Sequence, residues 1–90
     1  MLGVRYSSRF KKDFKACIKR HYNMKLLQDI IDILRIPERP ALQYEDHNLS
    51  GNYKEYRECH VAPDWLLIYR YQDEDLVLYR TGTHADLFGL

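Results

Sequence analysis

Two prolines, Pro37 and Pro40, divide this chain into parts with different hydrophobic periods. Upstream of them apolar residues recur every three to four positions, as on helices with one buried face. Downstream they alternate or run continuously, as in strands. Proline cannot donate a backbone hydrogen bond inside a helix, so the change of period is enforced at that point. A chain that spends its helices first and its strands afterwards packs them as helices against one face of a sheet, an α+β arrangement.

The details refine that plan. Val4–Tyr6 reads as a short opening strand, and Ser7 or Ser8 offers the N-cap of a first helix. Phe10, Phe14, Cys17, Ile18 and His21 fall on its inner side. Lys12, Lys15 and Lys19 cluster within about 60° on the opposite side, at about 100° per residue. His21-Tyr22-Asn23 is a turn, with Asn23 a cap for a second helix that buries Met24, Leu27, Ile30, Ile31 and Leu34. The two helices form an antiparallel hairpin. Leu42–Gly51 is polar and loop-like and carries His47. Tyr53–His60 alternates as a strand. Trp65–Tyr71, a nearly unbroken apolar and aromatic run, is the central-strand candidate, and Leu76–Arg80 returns after a turn at Gln72–Asp75. Thr81–Leu90 closes the molecule, with Gly82 and Gly89 as breakpoints. Neither a repeat nor a linker interrupts the pattern, so residues 1–90 are expected to form one domain.

A net charge of +1 conceals a strong asymmetry. Residues 1–25 hold eight Lys/Arg against Asp13 and carry +7, whereas residues 26–50 and 51–90 each carry −3. The first helix is therefore a candidate anion-attracting surface, with a solvated helix face as the alternative. No run approaches the roughly 18 apolar residues of a membrane span, and the N-terminus lacks a secretory apolar stretch, so a cytoplasmic location away from membrane is expected. Cys17 and Cys59 are far apart and form no CxxC pattern, which points to free buried thiols.

Chemistry concentrates in the strand-rich part. His47, His60 and His84, with Asp64, lie at or near predicted strand ends, outside the helices. Imidazole exchanges protons near neutrality, so this set can supply acid and base. Three readings stand: structural histidines, a metal site of imidazoles and a carboxylate, or metal-free general acid/base catalysis. The gaps from His47 to His60 and from Asp64 to His84 lack a compact metal-ligand spacing. Arg57 and Arg80, in the strands of His60 and before His84, suit a substrate phosphate, with ion pairing to Glu55, Glu58 or Asp75 as the structural alternative. Trp65 and Phe88 flank the set and either could stack on a base, with core packing the favoured alternative for Trp65. Together these groups suggest cleavage of RNA, whose 2′-OH is a built-in nucleophile.

Three stretches then match a known group: Asp46-His47-Asn48-Leu49-Ser50-Gly51, the segment from Tyr56 through His60-Val61-Ala62-Pro63-Asp64-Trp65 to Tyr69, and Arg80-Thr81-Gly82-Thr83-His84-Ala85-Asp86-Leu87-Phe88. In these, and in Arg20-His21 before the second helix, the chain resembles the RelE/ParE toxin superfamily, specifically its YafQ-type branch. The resemblance implies a helical hairpin on a small, mainly antiparallel four-stranded sheet, ordered β-α-α-β-β-β with a short C-terminal helix or tail. It implies the toxin of a type II toxin–antitoxin system, a ribosome-dependent endoribonuclease that cuts mRNA in the A site with no metal or other cofactor. Carried over, His47, His60, Asp64 and His84 are catalytic, His84 acting directly in proton transfer. Trp65, Phe88, Arg57 and Arg80 would bind substrate, and Lys12, Lys15 and Lys19 would face ribosomal RNA. A cognate antitoxin is the implied protein partner, with operator DNA reached only through the antitoxin complex. Other branches of the superfamily inhibit protein targets such as gyrase, which is the alternative function.

Overall fold

The element order follows the change of period at the prolines. A computed structural model describes residues 1–36, 47–48 and 55–89. Strand β1 (Gly3–Tyr6) leads into helix α1 (Ser8–Lys19), then α2 (Met24–Leu34), a two-residue strand β2 (His47–Asn48), and strands β3 (Arg57–Ala62), β4 (Trp65–Gln72) and β5 (Asp75–Gly82); a short helix α3 (His84–Phe88) ends the chain. The strands lie in the order β1-β5-β4-β3-β2. Only β1 and β5 run parallel, from Gly3 opposite Asp75 to Tyr6 opposite Leu78. The helical hairpin is the crossover that lets the first strand reach the last. The expected four-stranded sheet is thus present, with β2 added along β3.

Local chemistry explains the helix ends. The Ser7 hydroxyl accepts the Phe10 N–H at 2.9 Å, and Asn23 Oδ1 accepts the Lys25 N–H at 3.2 Å. Both use a short polar side chain to satisfy a helix N–H that has no intrahelical acceptor. α1 ends in a Schellman turn: the Tyr22 N–H reaches the Cys17 carbonyl at 3.1 Å and the His21 N–H reaches Ile18 at 3.0 Å. His21 takes the left-handed conformation there, at φ 61°. It therefore leaves the helix wheel and is exposed, and Ile18 in the last turn is 50% exposed. The inner face of α1 narrows to Phe10 and Cys17, with Phe14 half-buried.

β4 is the spine of the sheet, and Leu66, Leu67, Ile68 and Tyr69 are fully buried. Alternation sends Leu67 and Tyr69 to the helix side, where they join Phe10, Cys17, Leu27, Ile30, Leu34, Cys59, Leu76 and Leu78. Leu66 and Ile68 face the other way and meet Leu87 of α3, with Tyr56, Tyr79 and Phe88 around them. Full burial of one such aliphatic side chain contributes about 1.5–3 kcal/mol, so the helix-side cluster dominates the stability of the fold. Both cysteines are free and buried.

Three boundaries differ from the expectation. Among described residues the third strand begins at Arg57 and runs on through Val61 and Ala62. The connection to β4 is the two-residue Pro63–Asp64 turn, with Ala62 paired to Trp65. β5 extends past Arg80 to Gly82, and the turn before it contracts to Asp73–Glu74, Asp73 adopting φ 57°. Residues 37–46 and 49–54 lie outside the described residues, and with them most of the expected Leu42–Gly51 loop and the Tyr53 end of the third strand.

Candidate active site

The site forms on the sheet face away from the helical hairpin, where β3, the Pro63–Asp64 turn and α3 meet. Successive residues of a strand point to opposite faces, so Glu58 and His60 share one side of β3 while Cys59 and Val61 enter the helix-side core. α3 delivers His84. Its N-cap is Thr83, whose hydroxyl accepts the Asp86 N–H at 3.0 Å, while Asp86 Oδ2 accepts the Thr83 N–H at 3.0 Å. This reciprocal pair is a capping box. Gly82 permits it: φ is 153°, and a Cβ there would lie 2.9 Å from Asp86 Oδ2.

His84 is the first residue of α3, so its own N–H needs an acceptor outside the helix. Asp64 Oδ1 accepts that N–H at 3.0 Å and lies 2.7 Å from His84 Nδ1. The backbone N–H of His84 first, then its ring, holds the Asp64 carboxyl below the usual carboxylate range. Ionised Asp64 can only accept, so Nδ1 carries the proton of this contact and Nε2 is the ring nitrogen outside it. The His60 ring centroid is 6.0 Å from that of His84, and the Phe88 ring lies 6.4 Å from His84 on the other side. Two imidazoles therefore stand close enough to serve one small reacting group. A cleft of about 340 Å³ lined by Tyr22, Asn23, Leu26, Ala62, Asp64, Trp65 and Thr83 opens beside Asp64.

Glu58 is the member that sequence reasoning missed. It was considered as an ion-pair partner for the arginines, yet it is 5% exposed, and its carboxylate lies within 4.8 Å of ligand atoms of both His60 and His84. The i, i+2 spacing of Glu58 and His60 on a strand was the available signal. This carboxylate with two imidazoles is a donor set that zinc or copper accepts. The arrangement also suits proton transfer, with a carboxylate close to both imidazoles.

The remaining candidates are distributed more widely. His47 sits on β2 opposite Glu58 in the strand register. Phe88 borders the site. Trp65 lines the cleft beside Asp64 by an edge only: it is 4% exposed, donates from Nε1 to Thr81 Oγ1 at 2.9 Å and packs on Tyr22 at 4.8 Å. Arg57 pairs with Tyr69 across the ladder, and alternation sets it on the face opposite Glu58 and His60. Arg80 points to α1, where Nε and Nη2 donate to Asp13 at 3.0 Å each. Alternation turns Trp65 and Arg57 to the helix side, and Arg80, next to the register shift at Ile68–Tyr69, reaches α1. Lys12, Lys15 and Lys19 are exposed along α1. The acids considered as partners for the arginines divide similarly: Glu55 pairs with Arg70 at 3.1 Å and Asp75 with Arg5 at 3.1 Å.

Comparison with known proteins finds relatives over nearly the whole chain. Residues 2–89 match the family model described as the bacterial toxin of type II toxin–antitoxin systems, YafQ. The chain is 46% identical to the mRNA interferase toxin YafQ of Escherichia coli K12 over 89 residues, spanning 96% of this chain and 95% of that protein. It superposes on the crystal structure of YafQ from E. coli BL21(DE3) with a TM-score of 0.90 at 42% identity, covering 99% of this chain and all of the other. The toxin chain of the E. coli DinJ–YafQ complex superposes with a TM-score of 0.88 at 43% identity, covering 99% of this chain and all of the other. A match over nearly the whole chain, together with a fold that brings Asp64, His60 and His84 to one face, means that the chain belongs to the YafQ family of type II toxin–antitoxin toxins.

Proposed function

We propose that this toxin is a ribosome-dependent endoribonuclease that cuts mRNA in the A site by attack of a ribose 2′-OH, with no metal in the reaction. The observation that carries the reading is the Asp64–His84 pair at 2.7 Å with the His60 ring 6.0 Å from that of His84. Asp64 fixes the proton on Nδ1, so His84 Nε2 is free to exchange a proton with substrate. One imidazole takes the proton of the 2′-OH, and O2′ forms its bond to phosphorus. The bond from phosphorus to O5′ breaks, and the second acid group protonates the leaving oxygen. The products are a 2′,3′-cyclic phosphate and a 5′-hydroxyl. Glu58 and His47 are assigned to the same set: the Glu58 carboxylate lies near both imidazoles, and His47 stands opposite Glu58 in the strand register.

The name of the E. coli relative, an mRNA interferase, supports mRNA as substrate. Phe88 is the aromatic group positioned beside His84 to stack on a base. Lys12, Lys15 and Lys19 supply an exposed cationic helix for ribosomal RNA. The antitoxin partner follows from the DinJ–YafQ complex of the relative, and operator DNA would be contacted through such a complex. The reaction belongs in the cytoplasm, where ribosomes are; among the described residues no helix is long and apolar enough to cross a membrane.

The test is cleavage of mRNA on purified programmed ribosomes, with and without EDTA, for the wild type and His84→Ala. A cut in the A-site codon that survives EDTA and disappears in the variant is expected. Intact mRNA with wild-type protein, together with a supercoiling defect in arrested cells, would move the function to inhibition of a protein target.

A further inference from the structure

α3 is five residues long, and Leu87 is its one fully buried residue, with Phe88 partly buried beside it. So short a helix does not hold itself in place, because its few internal hydrogen bonds do not offset the cost of ordering it. Its position must come from outside, and one outside contact reaches it from 66 residues away. Arg20, the C-cap of α1, donates from Nη1 to Asp86 Oδ2 at 2.5 Å and from Nη2 to Asp86 Oδ1 at 3.1 Å. Asp86 is the same residue whose Oδ2 caps Thr83, one position before His84. A bidentate guanidinium fixes a carboxylate in both angle and distance. It therefore orients the turn of α3 that carries His84.

Arg20 is itself held. The Schellman turn at His21 sets the course of the chain after α1, Arg20 Nη1 also reaches the Tyr22 hydroxyl at 3.4 Å, and the Tyr22 ring packs on buried Trp65. On the far side of α3, Asp64 takes the His84 N–H and ring. His84 thus has two anchors, Asp64 on its own N–H and ring and the Arg20–Asp86 pair two residues along α3.

We propose that Arg20 is a positioning residue for His84, acting through Asp86 rather than by touching RNA. The proposal rests on the reading of His84 as a proton-transfer group. The guanidinium is bound to the capping carboxylate of α3, and Gly82 is shaped to let that carboxylate fold back. Reacting groups tolerate little displacement, since a shift of about 1 Å can cost on the order of a hundredfold in rate. Without Arg20, α3 keeps its capping box, its Leu87 contact and the Asp64 anchor but loses the second of its two outside links.

The experiment uses the full chain with Arg20→Ala, Arg20→Lys and Asp86→Asn. It reads single-turnover cleavage on programmed ribosomes together with amide hydrogen exchange. Arg20→Ala should lower kcat by about tenfold or more with KM within about twofold, and speed exchange at His84, Leu87 and Gly89 while β4 stays protected. Arg20→Lys, which keeps the charge but not the fork, should recover only part of kcat, and Asp86→Asn should reproduce Arg20→Ala. Wild-type kcat with wild-type α3 exchange in Arg20→Ala would overturn the proposal. So would a loss confined to KM, which would make Arg20 an RNA contact, or exchange that rises equally across β4, which would make it a general structural residue. If the wild type does not cleave, the reading of His84 fails, and unchanged α3 exchange in Arg20→Ala would then overturn the anchoring as well.

Discussion

Removing Asp13 should expose what Arg80 is for. Arg80 Nε and Nη2 both bond to Asp13 at 3.0 Å, and the Thr81 N–H donates to the same carboxylate at 3.2 Å. The two charged side chains are only 13% and 14% exposed. Asp13→Ala would leave a guanidinium and a backbone N–H poorly solvated and without their acceptor. Breaking one partner of a buried pair costs about 3–5 kcal/mol, and the residual exposure here favours the low end, about 3 kcal/mol. In a domain of this size about 1 kcal/mol moves Tm by about 4–8 °C, so Tm should fall by roughly 12–24 °C. Replacing both residues with leucine should recover most of that loss, because no unpaired charge remains. Thermal unfolding by circular dichroism measures both variants, and cleavage below Tm shows whether activity follows. A fall of less than about 4 °C for Asp13→Ala would refute the reasoning that this pair ties α1 to β5. A stable Asp13→Ala protein that cuts faster would instead make Arg80 a substrate group restrained by Asp13.

Other perturbations follow from the same geometry. Asp64→Asn removes the charge that fixes the His84 tautomer; kcat should fall about 10- to 100-fold with Tm and KM nearly unchanged, and a wild-type rate in single-turnover cleavage would contradict the role. Because Glu58, His60 and His84 can share a metal ion, added zinc should inhibit cleavage reversibly, and Glu58→Gln should raise the zinc concentration required. Reversing the charges of Lys12, Lys15 and Lys19 should weaken ribosome binding strongly at low salt and little at high salt, as measured by sedimentation; no change at either would leave them a solvated face. Asp86, held down by the Arg20 guanidinium, and Asp64, held down by the His84 N–H, both have lowered proton affinity in the folded chain. Depressed carboxylates contribute stability that is present above the ordinary carboxylate range and lost as pH falls through the folded values. The wild type should therefore lose stability below about pH 4 more steeply than Asp86→Asn in acid titrations of Tm.

What the sequence could determine by itself was local. Helical spacing before Pro37 and near-continuous apolar runs after Pro40 are properties of one element at a time, and they yielded the α+β order, the β4 core strand and the Ser7 and Asn23 caps. His47, His60, Asp64 and His84 stood out as candidates because unusual residue types recurred in matched stretches. The tertiary structure decided which of these side chains meet. Asp64 could have turned to His60, its neighbour in sequence, but the Pro63–Asp64 turn places it at a hairpin tip against the start of α3, where His84 offers an unsatisfied N–H. Alternation along β3 puts Glu58 beside His60 and Arg57 on the other face, but that His84 meets the Glu58 side depends on where α3 packs. Arg20 with Asp86 and Asp13 with Arg80 are pairs 66 and 67 residues apart, created by the crossover that lays α1 along β5. Hydrophobic period is a property of one segment, whereas the partner of a charge depends on how two segments pack, and that is settled only when the chain folds.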